Sequence, residues 1–300
     1  MTTEMYPAPA PFAVDVAGVP MSGIANDIAH PRAVVIALHG GGTTPEYFDS
    51  PGFPQQSLLR VGARLGFSVV APDRPGYGAS RKVLGDELSP ADQVDLTYGV
   101  IEQVLAGRDR GAGIFLLGHS QGSVLTAKMA ADPRAADLLG IEIAGTGIRH
   151  HDLARERLAL PVTAGTLRST LRNLLWEPSR LYPNRRRVLS SAPKFEGADA
   201  KDWPEDLTAL APLINIPVRI SLGDHEYWWQ SGSAGLNEIA QLFTSSSRVV
   251  VDEQYESGHN LSLGTAALAY HLKVLSFVEE CVLMRERIEP ENHEMETTNA

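Results

Sequence analysis

Ile114-Phe115-Leu116-Leu117-Gly118-His119-Ser120-Gln121-Gly122-Ser123 is the stretch on which the fold turns. Four apolar residues without alternation read as a strand covered on both faces, and an Ala-rich segment, 123–131, reads as the helix that follows. A serine where a strand turns abruptly into a helix is forced into a strained backbone conformation with its hydroxyl projecting from the sheet. Residues two before and two after must be small, and Gly118 and Gly122 meet that need. The helix N-terminus behind Ser120 offers unpaired N–H groups and a positive dipole end to an anion formed there. The context favours Ser120 as a nucleophile over a plain glycine-rich turn that happens to contain a serine.

Working outward, further short apolar runs occur at 33–38, 68–71, 138–144, 218–222 and 248–251. They lack period-two alternation and read as strands buried on both faces. Segments 55–65 and 91–105 between them place their leucines and valines on one helical side. Strand and helix alternating in this way predict an α/β protein: a mostly parallel sheet with helices on both faces. The Pro-Ala repeat at Pro7, Pro9 and Pro11 reads as an extended arm, and 12–16 with 20–24 as a hairpin around Ala17-Gly18-Val19. From 149 to 211 no strand run appears, and a structureless loop of that length is improbable in a compact domain. The segment, with an amphipathic piece at 167–176, is predicted to be an inserted helical cap. The core is then 1–148 with 212–285, closed by a long helix over 261–284. Residues 286–300, rich in glutamate, are expected to form an acidic flexible tail.

Composition narrows the function. Of 300 residues, 43% are hydrophobic and 21% charged, enough for a substantial core, and the formal net charge of −10 argues against a nucleic-acid-binding role. No apolar run is long enough to cross a membrane. The single cysteine, Cys281, and the lack of a basic, apolar leader predict a cytoplasmic protein.

Leu38-His39-Gly40-Gly41-Gly42 leaves the strand at 33–38. Glycines there let backbone N–H groups approach a ligand closely. One donor from Gly41 or Gly42 and one from Gln121 would form an oxyanion hole; a flexible strand exit is the plainer alternative. His39 is expected to hold the loop.

Taken together, the glycine loop, the elbow and Asp73-Arg74-Pro75-Gly76-Tyr77-Gly78 after the strand at 68–71 resemble the α/β-hydrolase family over about residues 12–284, the insertion being that family's variable cap. The resemblance implies an acid after a late strand and a histidine after the last. Asp224 follows 218–222, with Glu226 as fallback and Glu142 as a weaker one because it lies within a strand. His259 follows 248–251 and, among nine histidines, has the loop location and chain order of a base. In that scheme Ser120 attacks a carbonyl, His259 takes its proton, and Asp224 orients the imidazole. A serine nucleophile disfavours the haloalkane dehalogenase and epoxide hydrolase branches, which use aspartate. No cofactor is implied. No metal site is expected, since His150-His151-Asp152 is not a preformed ligand set and no helical His-Glu-x-x-His is present.

Between 149 and 187 stand nine arginines and no lysine, against Asp152, Glu156 and Glu177. The patch reads either as a solvated face or as a docking site for an acidic partner, such as a carrier protein bearing a thioester. Tyr227, Trp228 and Trp229 beside the expected acid, with Trp176, Tyr182 and Trp203 of the insertion, either wall an acyl pocket or seal the cap. Three functions stay open: an esterase or lactonase on small molecules, a thioesterase that hydrolyses or cyclises carrier-bound chains, and a non-catalytic binding protein on the same fold.

Overall fold

The computed structural model describes residues 7–50, 52–85, 87–159, 174–183 and 185–298, with the side chains of 198 and 288–298 apart. Eight strands form one sheet in the order β1-β2-β4-β3-β5-β6-β7-β8. These are β1 (Ala10–Val16), β2 (Val19–Asn26), β3 (Val34–Leu38), β4 (Ser68–Pro72), β5 (Ile114–His119), β6 (Leu138–Ala144), β7 (Val218–Gly223) and β8 (Val249–Gln254). β1 and β2 are the predicted hairpin, and β2 joins β4 antiparallel; every other pairing is parallel.

Strands β3 to β7 are buried along their whole length, and alternate residues explain how. Val34, Ile36 and Leu38 pack with Val100 and Ile101 of α2 (Pro90–Val104) and Leu125 of α3 (Gln121–Ala130). Val35 and Ala37 face Leu58 and Leu59 of α1 (Leu58–Arg64) and Val274 and Val278 of the closing helix. Helix starts follow local chemistry: the Ser57 and Ser89 hydroxyls accept from the backbone N–H groups of Arg60 and Asp92, both at 3.1 Å.

Three features differ from the sequence reading. β8 is only half-buried, because it is the sheet's edge and one side faces solvent. A helix not anticipated, Gly232–Ala240, crosses from β7 to β8. The closing helix runs Ala267–Thr298, through the segment read as a flexible tail. Glutamate, arginine and methionine are good helix formers, so an acidic composition alone does not break a helix that is already propagating. Arg32 further ties Glu279 (2.6 Å) and Glu286 (2.9 Å) to the core.

The described part of the insertion comprises a helix, Asp152–Leu158, short turns at Ser179–Leu181 and Arg185–Arg187, and a cap helix, Glu196–Leu210. Most of the amphipathic piece at 167–176 lies outside the described residues. Trp203 and Leu207 of the cap helix join the core cluster of α2 and α3. No helix among the described residues is long and apolar enough to cross a membrane.

His271 of the closing helix carries an acid sensitivity. It is fully buried, its Nδ1 donating to the Gln56 carbonyl (2.8 Å) and its Nε2 accepting from the Ser262 hydroxyl (3.0 Å). Burial lowers its pKa from 6.5 to about 4. The unfolded chain takes up a proton below about 6.5 while the native state refuses it until about 4. Stability from this residue is therefore complete above the upper value and is lost as pH falls through the window, by about 3 kcal/mol in total. Burial lowers the pKa of His39 and His119 as well, adding to the same trend. Urea unfolding at pH 7.5 and 4.5 should show a smaller pH difference for His271→Gln than for the wild type.

Candidate active site

At the elbow, Ser120 has φ 51° and ψ −115°, in the positive-φ region that side chains rarely adopt. Such a conformation costs of order 1–3 kcal/mol and persists only where surroundings enforce it. Here the Ser120 N–H is held by the Ala144 carbonyl of β6 (2.8 Å). A Cβ at Gly118 would stand 2.5 Å from the Gly122 carbonyl oxygen, and one at Gly122 only 2.0 Å from that of Leu38. Both glycines are thus required by close backbone approach, and α3 begins at Gln121 directly behind the serine.

The glycine loop is braced from below. His39 is buried, its Nε2 accepting from the Arg74 N–H (3.2 Å) and its Nδ1 donating to the Gly40 carbonyl (2.9 Å). That carbonyl also accepts from Thr43 Oγ1 (2.9 Å). Of the two glycines expected to supply an oxyanion donor, Gly42 is ruled out: its N–H is spent on the Tyr77 hydroxyl at 2.8 Å. Gly41 remains, lying across from Gln121, whose Cγ would be 3.1 Å from a Cβ at position 41.

The carboxylate that meets His259 is Glu226, two residues beyond the expected Asp224. His259 Nδ1 lies 2.9 Å from Glu226 Oε2, both side chains being buried. The other Glu226 oxygen accepts from the backbone N–H groups of Trp228 (2.8 Å) and Trp229 (3.4 Å). Asp224 instead accepts from the N–H groups of Glu256 and Ser257, each at 3.0 Å. It ties the loop after β7 to the loop after β8 and does not reach the imidazole. Its short side chain directly after Gly223 satisfies turn amides, while Glu226, two residues on, reaches inward. Glu142 is committed elsewhere, receiving Arg219 Nη1 (2.9 Å) and the Tyr270 hydroxyl (3.1 Å); burial raises its pKa.

His259 Nδ1 must carry the proton shared with Glu226, which leaves Nε2 as an acceptor, with no partner among the described residues. His119 is engaged elsewhere: its Nε2 donates to the His259 carbonyl (2.8 Å), and its ring stacks on Tyr47 at 4.6 Å. Burial keeps it neutral by lowering its pKa. Two further histidines have structural tasks: His150 stacks on Trp229 at 4.6 Å, and His151 caps the helix that begins at Asp152.

Ser120 and His259 line one cavity of about 430 Å³, roofed by the cap. Gly40, Gly41 and Gln121 share its wall with Trp176, Trp203, Trp228 and Trp229. Tyr227, expected there, is not in the lining; it turns to the ring of His151 at 5.9 Å. Sequence reading did not find Val124, Leu175, Asn260 or the acidic Glu196, which also border the space. No group of three or more His, Cys, Asp or Glu side chains among the described residues is placed to hold a metal ion.

Parallel strands that bring a serine, a carboxylate and a histidine to their carboxyl edge, in that chain order, are the plan of the α/β hydrolases. This chain belongs to the alpha/beta hydrolase family, whose sequence model matches residues 35–268. Hydrolysis is the chemical class that membership supplies. No curated protein matches the sequence. Many solved structures share the fold. A carboxyl esterase from Bacillus coagulans superposes with a TM-score of 0.64 at 16% identity, covering 92% of this chain and 99% of its own. Carboxylesterase CesB of Bacillus subtilis gives 0.60 at 17%, covering 92% and 94%. A thioesterase domain from the curacin biosynthetic pathway gives 0.59 at 19%, covering 89% and 99%.

Proposed function

We propose that the chain is a serine hydrolase that cleaves a carboxylic ester or lactone through an acyl-enzyme on Ser120. The observation that carries this reading is a strained serine sharing a cavity with a histidine whose Nδ1 is held by buried Glu226. Ser120 Oγ bonds to the carbonyl carbon while its proton passes to His259 Nε2. The imidazolium is stabilised by Glu226, and the oxyanion receives the N–H groups of Gln121 and Gly41. Collapse breaks the bond to the leaving oxygen, which takes the proton from His259. Water, deprotonated by the same imidazole, then releases the acid and restores Ser120. An internal hydroxyl attacking in place of water would yield a lactone. The four tryptophans favour a hydrophobic acyl group. No cofactor enters these steps, and we place the chain in the cytoplasm, where a lone buried thiol such as Cys281 stays reduced. Incubation with a fluorophosphonate probe followed by peptide mapping tests the reading. An adduct on Ser120 supports it; intact protein without an adduct favours the binding-protein alternative.

A second reading, a thioesterase for chains carried by an acidic partner protein, draws on the cap arginines. Arg149 and Arg180 pair with Glu238 (2.5 Å) and Glu256 (2.6 Å), and Arg155 with Asp152; Arg168 and Arg172 lie outside the described residues. Arg185, Arg186 and Arg187 form one turn and have no ion-pair partner among the described residues. Three residues beyond the turn, Ser190 N–H donates to the Gly42 carbonyl (2.8 Å), so the basic turn stands near the cavity rim. Reversing all three to glutamate should lower kcat/KM for a carrier-bound thioester about tenfold or more, in a salt-dependent manner, and leave a p-nitrophenyl ester unaffected. Equal effects on both substrates would remove the carrier reading.

A further inference from the structure

Glu196 opens the cap helix, yet it is only 5% exposed and lies against the core. One oxygen pairs with the buried Arg74 guanidinium, which also donates to the Gly40 carbonyl at 3.2 Å. The other oxygen accepts from the Tyr77 hydroxyl at 2.8 Å, and that hydroxyl in turn accepts from the Gly42 N–H. Both flanks of Gly41 are thereby tied to one carboxylate, whose Oε2 would be 3.1 Å from a Cβ at position 41. The same cap helix is anchored to α3, the helix that carries Gln121, through Lys128 to Asp199 (3.2 Å) and Asp206 (3.3 Å).

We propose that Glu196 is a positioning residue for the oxyanion hole: seated on Arg74 and Tyr77, it sets the loop Gly40–Gly42 so that the Gly41 N–H points at the developing oxyanion. The inference rests on the serine-hydrolase reading. Electrostatics alone predicts the opposite role. A carboxylate near a forming oxyanion repels it, and Arg74 neutralises that repulsion; removing the negative charge while keeping Arg74 would then help the reaction. Positioning predicts harm, since Arg74 and Tyr77 lose the acceptor that holds them in register.

The test compares Glu196→Gln and Tyr77→Phe with the wild type on a p-nitrophenyl ester, together with binding of a trifluoromethyl ketone, which forms an oxyanion on Ser120, and of the product acid. The expected result is a fall in kcat of about tenfold or more in both variants with KM changed less than about threefold. Ketone affinity should fall by the same factor as kcat/KM, and product affinity should stay unchanged. Tyr77→Phe removes one hydroxyl and no charge, so it carries the test if Glu196→Gln fails to fold. Folded variants whose kcat and ketone affinity stay within about twofold of wild type, or whose KM alone rises, overturn the assignment. A wild-type protein that neither turns over the ester nor reacts at Ser120 overturns the hydrolase reading and this inference with it.

Discussion

Glu226→Gln is expected to lower kcat roughly 10⁴-fold, the scale on which loss of an orienting carboxylate acts in serine hydrolases. The amide is nearly isosteric and its carbonyl can still accept from the Trp228 N–H, so the loop is preserved. What disappears is the negative charge 2.9 Å from His259 Nδ1. In the proposed mechanism the imidazolium formed during attack would then have no counter-charge in a buried site, and the ring would no longer be held in the tautomer that leaves Nε2 as a base. Asp224→Asn is the matched control. Its oxygens accept from the amides of Glu256 and Ser257 rather than from His259, so its kcat should fall less than about tenfold, with a modest loss of stability. Saturating kcat for both variants on one ester settles the assignment; a large loss with Asp224→Asn and a small one with Glu226→Gln would return the role to position 224.

Gly122→Ala should be the most damaging single methyl group in the elbow. The added carbon would lie 2.0 Å from the Leu38 carbonyl oxygen and 2.8 Å from that of His39, both backbone atoms with no side-chain freedom to yield. Overpacking costs about 1–3 kcal/mol in ordinary cores, and a backbone obstacle places this case at the upper end. Thermal unfolding should shift down by roughly 5–10 °C. Because α3 must retreat from β3, the Gln121 N–H moves with it, and kcat falls about tenfold or more. Gly197→Ala, in the cap helix with no heavy atom within 4 Å of the added carbon, is the contrasting case: stability should hold or rise by about 0.4–1 kcal/mol.

The parts legible in the sequence are those in which chemistry is local. Unbroken apolar runs located β3 to β7, since burial on both faces removes the alternation that would blur a strand into a loop. The glycines flanking Ser120 marked the elbow because no other residue fits there. Where a choice depended on the path of a loop, sequence was less informative. Asp224 and Glu226 follow the same strand, and only the turn between them decides which one caps amides and which one meets His259. The signal that would have separated them is the aspartate directly after Gly223, a position suited to a turn acceptor. Gly41 and Gly42 are chemically identical, and the hydroxyl that claims Gly42 comes from a tyrosine 35 residues away. Glu196 was indistinguishable from the surface acids around it, since its burial depends on Arg74 in a distant segment.

The backbone of Ser120 has one more implication. A residue held at φ 51° would be more comfortable as glycine, which visits that region without a Cβ clash. Laboratory selection for heat tolerance alone would therefore drift toward losing the alcohol, and only a screen that rewards turnover as well would keep this corner of the molecule under tension.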